Sequence, residues 1–152
     1  AEIQALVTQT VFPAPRRTAN GIDYNRVCLI LAVLEKRLGL RFSSHDVYLN
    51  VIGGIEIDEP ASDLGIAMAL ISSLTDKKIP DDLIAIGEIG LAGECRGISS
   101  IEQRVKEAAR LGLTSELIPA SNASSCPKIE GIKIYSIKTI YDVLKFLKAE
   151  NN

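Results

Sequence analysis

The 152-residue chain has no tryptophan, and aromatic residues make up only 5% of it. Proteins that bind single strands by stacking bases need several exposed rings, so an extensive stacking platform is excluded. The formal net charge is -2, and contact with nucleic acid would therefore need a local basic patch. No apolar run approaches the ~20 residues of a membrane-spanning helix. We therefore expect a cytoplasmic protein without a membrane role.

Cysteine and histidine are also scarce. Cys28, Cys95 and Cys126 are widely spaced, and His45 is the only histidine. Without a CxxC pair or a second imidazole, the sequence predicts neither a disulfide framework nor a zinc site. No GK[ST] follows the glycine pair at 53–54, so a phosphate loop is not predicted either. We expect three reduced thiols and no cofactor in this chain.

The length predicts a single domain over residues 1–152, large enough for one substantial core. The chain begins at Ala1 instead of methionine, and residues 2–7 already have the pattern of a strand. This start differs from a charged leader followed by an apolar segment. We therefore expect an excised fragment of a longer protein.

Hydrophobic periodicity predicts an α+β order of elements. Ile3, Ala5 and Val7 alternate with polar residues in a predicted strand, and a helix capped by Asp23 or Asn25 is expected to end near 38. Further strands are predicted at 47–51 with a continuation at 55–57, and at 83–89, 91–95, 116–118 and 132–137. Further helices are predicted from about 60 to 74, 100 to 111 and 139 to 147, the second with a capping box of Ser100 and Gln103.

The segment 57–69, with the sequence IDEPASDLGIAMA, is the most informative part of the chain. It resembles the nucleophile segment of Lon-type proteases, in which a serine stands two residues before the glycine of a Gly-Ile-Ala-Met helix. Here that position, two before Gly65, is Asp63. The segment 87–104, GEIGLAGECRGISSIEQR, resembles the part that carries the lysine base, and it places Glu102 at the lysine position.

These two replacements remove the chemistry of a serine-lysine pair. Such a pair works because a partly desolvated lysine can be neutral near pH 7 and accept the hydroxyl proton. The carboxylate of Asp63 is a poor nucleophile toward an amide, and Glu102 cannot act as the base beside it, because two acids repel each other. Ser62 lies one residue away, which turns it by about 100° around a helix. We therefore predict no proteolysis and no catalytic residue.

A wider resemblance covers the chain from Glu2 to about Leu147. It rests on the sequences NGIDYNRV at 20–27, AVLEKRLG at 32–39, DEP at 58–60 and IEQRVKEAA at 101–109. These strings are similar to the C-terminal domain of the RadA (Sms) family of bacterial DNA repair and recombination ATPases. The resemblance implies an α+β fold of the ribosomal-protein-S5 domain 2-like, Lon-protease-like type. It also implies upstream zinc-binding and ATPase domains, so ATP, Mg and Zn are expected in the full-length protein.

The same resemblance implies a scaffold function. Domains of this family assemble into a six-membered ring that supports an ATPase ring and contacts single-stranded or branched DNA during branch migration. Recombinase or replication proteins are further expected partners. The rival interpretations are an active Lon-type peptidase that uses Ser62, and a carboxylate-pair or metal-dependent hydrolase at Asp63 and Glu102. A structural interpretation places both acids in the first turn of a helix, where they face its positive end.

Two basic groups are candidates for DNA contact. Arg16 and Arg17 follow a proline-bounded loop, and Arg26 lies in the first turn of a predicted helix. A solvated charged surface is the default interpretation of this group, but a cation at the start of a helix opposes its dipole, and a bound phosphate would explain the position of Arg26. The second group is Arg96, Arg104, Lys106 and Arg110. Glu102 and Glu107 dilute this second group, so an ordinary exposed helix face is the favoured interpretation there.

Overall fold

The computed structural model describes residues 2–52 and 60–152. Within them the chain forms a mixed α/β fold. The strands are β1 (Glu2–Gln9), β2 (Arg17–Asn20), β3 (His45–Ile52), β4 (Leu83–Ala85), β5 (Glu88–Ile89), β6 (Cys95–Arg96), β7 (Ser115–Pro119) and β8 (Lys133–Ile137). The helices are α1 (Tyr24–Leu38), α2 (Asp63–Thr75), α3 (Ile101–Arg110), α4 (Ala120–Ala123) and α5 (Ile140–Glu150). The predicted strand at 55–57, the glycine pair at 53–54 and most of the DEP motif lie outside the described residues.

The first sheet has the strand order β1-β3-β2. β1 pairs antiparallel with β3 from Glu2 opposite Ile52 to Gln9 opposite His45, whereas β2 runs parallel to β3. The sequence did not predict β2, because its four residues, RTAN, include a single apolar side chain and show no strand periodicity. Pairing with β3, and not local propensity, therefore makes this segment a strand.

The second sheet is wholly parallel, with the order β4-β7-β8, and a separate antiparallel hairpin joins β5 to β6. The sequence predicted 83–89 as one strand paired with 91–95, and the structure divides that segment between the two sheets. The division occurs at Gly87, where an added Cβ would lie 2.7 Å from Cys95 Sγ. This close approach lets the chain leave the parallel sheet and turn back as the hairpin.

Several predicted helix features are confirmed. Asp23 caps α1 by accepting a hydrogen bond from the backbone N–H of Asn25, and Gly39 ends it in the left-handed conformation with a φ of 70°. α2 follows a 3-10 turn over Pro60–Ser62, and it is buried nearly all round, as its apolar composition predicted. The predicted capping box at Ser100 is wrong, because that side chain makes no cap hydrogen bond and its backbone is left-handed. The capping box lies at the start of α5 instead.

The apolar side chains form two clusters instead of the single core that the length predicted. The larger cluster joins the first sheet to α1, α2 and α5, and the smaller one lies against α3. Leu117 belongs to the larger cluster and its neighbour Ile118 to the smaller one, so β7 separates the two. Within residues 2–52 and 60–152, no helix is long and apolar enough to cross a membrane.

Candidate functional site

The nucleophile position of the Lon-like segment lies at the buried start of α2. Asp63 is the first residue of the helix, and its side chain is 1% exposed. The backbone N–H of Leu64 donates to the carbonyl of Gly87 at 3.0 Å, and the N–H of Gly87 donates to the carbonyl of Ala61 at 2.8 Å. These two bonds hold the start of α2 against the segment that leads into β5.

Both carboxylate oxygens of Asp63 are occupied by hydrogen-bond donors. Arg26 Nε donates to Oδ1 at 2.6 Å, and Arg26 Nη2 donates to Oδ2. The backbone N–H of Ile89 also donates to Oδ2, at 3.0 Å. This fork-to-fork pairing is the strong geometry of an arginine with a carboxylate. Glu88 adds a second, longer ion pair, with 4.0 Å between its Oε1 and Arg26 Nη2.

The position of Arg26 now has a reason within the protein. It lies in the first turn of α1, where a cation opposes the helix dipole, and the sequence attributed it to phosphate contact. The structure instead pairs it with Asp63 on α2, and this hydrogen bond raises the pKa of the guanidinium. Its side chain is 29% exposed. The sequence could not reveal the pairing, because 37 residues separate the two partners.

Glu102 has a different environment from Asp63. It lies in the first turn of α3, as predicted, with its side chain 52% exposed and 3.0 Å from Lys106 Nζ. Asp63 pairs with Arg26 and Glu102 with Lys106, so these contacts give no support to a joint carboxylate site. No group of three or more His, Cys, Asp or Glu side chains that could hold a metal ion occurs in the described parts of the chain. Ser62 lies at the N-cap of α2, and its side chain does not cap that helix.

Cys95, near the same site, offers no replacement nucleophile. The three cysteines are free, and each is partly buried. Burial raises the pKa of the Cys95 thiol to about 12, and the charges of Asp142 and Asp63 act in the same direction. A thiol must ionise to attack a carbonyl. Cys95 is therefore protonated and unreactive near neutral pH.

The first basic group is largely committed to contacts within the protein. Arg17 donates hydrogen bonds to the backbone carbonyls of Phe42 and His45, the first at 2.7 Å, and so ties the turn before β3 to β2. Arg16 is exposed, and its guanidinium carbon lies 3.8 Å from the centre of the Phe12 ring. Of the three arginines in this group, Arg16 is therefore the exposed one.

Acidic neighbours accompany the second basic group. Lys106 pairs with Glu102, Arg110 Nε donates to a Glu107 oxygen at 3.0 Å, and Arg96 lies 3.4 Å from Glu94. Arg104 donates to the carbonyl of Ser99 at 3.1 Å. Exposed pairs of this kind, two of them at helical spacing on α3, belong to an ordinary solvated surface. This geometry supports the interpretation that the sequence favoured for α3.

Sequence analysis missed two buried acids, Asp46 and Glu116. Asp46 accepts a hydrogen bond from the backbone N–H of Arg16 at 2.8 Å. Glu116 is the second residue of β7 and is 1% exposed, and neither of its side-chain oxygens has a hydrogen-bond partner among the described residues. The available signal was its position in the apolar strand sequence SELIP, where a charged residue is unusual.

Comparison with known proteins agrees with the Lon-like pattern. A family model described as the Lon protease (S16) C-terminal proteolytic domain matches residues 33–149. The DNA repair protein RadA of Bacillus subtilis is 49% identical over 144 residues, which cover 95% of this chain and 31% of that protein. The RadA proteins of Halalkalibacterium halodurans and Streptococcus pneumoniae are 45% and 46% identical, over 95% of this chain and 32% and 34% of their own lengths.

The chain thus spans about a third of the length of these curated relatives. It belongs to the family of Lon protease (S16) C-terminal domains, and the relatives it resembles there are DNA repair proteins named RadA.

Proposed function

We propose that this chain is a non-proteolytic Lon-like domain that acts as a scaffold in a RadA-type DNA repair and recombination protein. Its roles would be assembly into a six-membered ring and contact with DNA during branch migration, while ATP hydrolysis would belong to another part of such a protein. The fold would be of the ribosomal-protein-S5 domain 2-like type. The observation that carries the proposal is the Arg26–Asp63 pair at the nucleophile position.

This pair has the properties of a structural contact. A nucleophile has to reach the substrate carbonyl and must be hydrogen-bonded to a base. Asp63 is 1% exposed, and its oxygens already accept bonds from Arg26 and from the N–H of Ile89. Glu102, at the lysine position, pairs with Lys106 on the surface of α3. The pairing of Arg26 with the buried Asp63 therefore supports a structural contact between α1 and α2, and not a catalytic site.

A cleavage assay tests the first half of the proposal. An unfolded protein incubated with the chain should remain intact, with and without added Mg²⁺ or Mn²⁺, while an active Lon protease degrades it in parallel. Cleavage that is lost in Ser62→Ala would establish the peptidase alternative. Metal-dependent hydrolysis that is lost in both Asp63→Asn and Glu102→Gln would establish the carboxylate-pair alternative.

Absolute mass in solution tests the second half. A domain that acts as a ring scaffold should self-associate through head-to-tail contacts that close into a cycle. Sedimentation equilibrium of the chain, with and without single-stranded DNA, should show a species near six times the monomer mass of 16.4 kDa. A monomer at high protein concentration, combined with a monomeric full-length RadA protein, would refute the scaffold role.

A further inference from the structure

The unpartnered carboxyl of Glu116 lies in a cavity between the second sheet and α3. The cavity has a volume of about 570 Å³ and opens to the surface. Ligand pockets in proteins span roughly 300–1,000 Å³, so this one can accept a small organic molecule. Its lining includes four aliphatic residues around the acid, namely Ile84, Ile86, Leu111 and Leu113.

A buried carboxylate without hydrogen-bond donors is unfavourable, because its lost hydration is not replaced. A ligand with a positively charged hydrogen-bond donor would replace the lost hydration of the carboxylate. The apolar part of the same ligand would cover the aliphatic walls of the cavity. An anion would be repelled by Glu116 itself. A bound metal ion would need several oxygen or nitrogen ligands, and no group of three such side chains is found in the described residues.

We propose that this cavity binds an organic cation, namely an alkylammonium group whose nitrogen donates to Glu116 and whose apolar part packs against Ile84, Ile86, Leu111 and Leu113. The shared chemistry is the ammonium group on a hydrocarbon chain. A free amine or a lysine side chain could supply it.

Other charged groups near Glu116 limit the ligand. Arg104 also lines the cavity, and it donates to the carbonyl of Ser99. Glu107 lines the cavity as well and pairs with Arg110, while the Cys126 thiol lies near enough to Glu116 to interact with it electrostatically. With Glu116 ionised, the described lining carries two acids, Glu116 and Glu107, and one cation, Arg104, so one excess negative charge matches a monoamine better than a polyamine.

The ionisation of Glu116 gives the binding a pH signature. Burial raises the pKa of this carboxyl to about 7, and Arg104 opposes the rise. An alkylammonium keeps its charge across this range, so the proton that affects binding is the one on Glu116. Affinity should be nearly constant above pH 8 and should fall about thirtyfold between pH 8 and pH 5.5.

The experiment is an NMR titration of the isotopically labelled chain with hexylammonium, repeated with hexanol and hexanoate. Hexylammonium should shift the amide signals of Ile84, Leu113 and Glu116 in a saturable way, and hexanol should bind at least tenfold more weakly. Glu116→Gln, checked for folding by its spectrum, should lose at least tenfold in affinity. Glu102→Gln should bind like the parent, because that acid lies on α3 outside the cavity lining.

A second arm distinguishes the sources of the ammonium group. N-acetyl-lysine methylamide that binds more tightly than hexylammonium would assign the site to a lysine side chain, and the reverse order would assign it to a free amine. Binding that is equal for hexanol and hexylammonium, unchanged in Glu116→Gln, or absent for every probe would overturn the proposal.

Discussion

At the scale of single residues, the pair of Arg26 and Asp63 occupies the nucleophile position of the Lon-like segment. The carboxylate is fully buried, whereas the guanidinium keeps part of its surface in water. Removing one partner leaves the other without its hydrogen bonds, and an unpaired buried polar group lowers the free energy of unfolding. Stability measurements on variants of these two residues therefore test whether the pair holds the domain together.

We expect Arg26→Ala and Asp63→Ala each to lower the free energy of unfolding by about 2–4 kcal/mol, less than a fully buried pair because Arg26 is partly exposed. In the double variant the two losses should not add, and the coupling energy should be about 1–3 kcal/mol. Urea unfolding of the four proteins measures both quantities. The exposed pair of Glu107 and Arg110 is the matched control, and its coupling should be much weaker than that of Arg26 and Asp63 because solvent screens exposed charges.

The DNA proposal reduces to a prediction about Arg16, the exposed member of its group. If this side chain contacts a phosphate, Arg16→Ala should flatten the logarithmic salt dependence of DNA binding by about 0.7–0.9. Base preference should stay the same, because phosphate contacts position DNA without reading it. Arg110→Ala is the control for a cation paired with an acid. An unchanged slope in Arg16→Ala would move the search for a DNA contact to other cations, beginning with Arg104 and Lys106.

At the scale of elements, the starts of α3 and α5 show how similar sequences take different local structures. Thr139 accepts a hydrogen bond from the backbone of α5, and Asp142 bonds back to the cap. Ser100 stands in the same position before α3, but its backbone is left-handed and its side chain makes no cap hydrogen bond. The local pattern at Ser100 is therefore overridden by the path of the chain that leads into α3.

Alanine substitutions should separate the two caps. Thr139→Ala should lower the free energy of unfolding by about 1 kcal/mol through the lost cap bond. Ser100→Ala should change it by much less, because no cap bond exists to lose. Thermal and urea unfolding under one set of conditions compare them directly. Equal losses in the two variants would mean that Ser100 caps α3 in solution.

At the scale of the whole molecule, Glu116 should make stability depend on pH. Its pKa is about 7 in the folded chain, against 4.5 for an unperturbed carboxyl. Below pH 4.5 the folded and unfolded chains both hold the proton, so Glu116 does not lower the free energy of unfolding. Between pH 4.5 and 7 the unfolded chain loses the proton while the folded chain keeps it, and the free energy of unfolding falls. Above pH 7 this loss is complete.

Glu116→Gln should remove this part of the pH dependence. The difference in unfolding free energy between variant and parent should shift in favour of the variant by up to about 3 kcal/mol from pH 4.5 to pH 8. Taking the difference cancels Glu94, Glu107 and Asp142, whose lowered pKa values act in the opposite direction at acid pH. A difference that is the same at every pH would show that Glu116 titrates normally.

The sequence by itself determined the features that depend on neighbours within one or two turns. Asp23 caps α1 and Gly39 ends it, and the apolar composition of α2 buries that helix on nearly all sides. Local hydrogen bonds and periodicity control such features, so reading the residues in order is sufficient. The motif around Asp63 likewise indicated the Lon-like family before any coordinates.

Only the tertiary structure decided the features that join distant segments. Arg26 pairs with Asp63 across 37 residues, β2 becomes a strand because β3 lies beside it, and Glu116 becomes a buried acid because α3 covers one face of the second sheet. Each of these depends on the position of a remote element, which no local pattern encodes. The charge of Arg26 was visible in the sequence, but its partner was not, because electrostatic pairing follows distance in space and not separation along the chain.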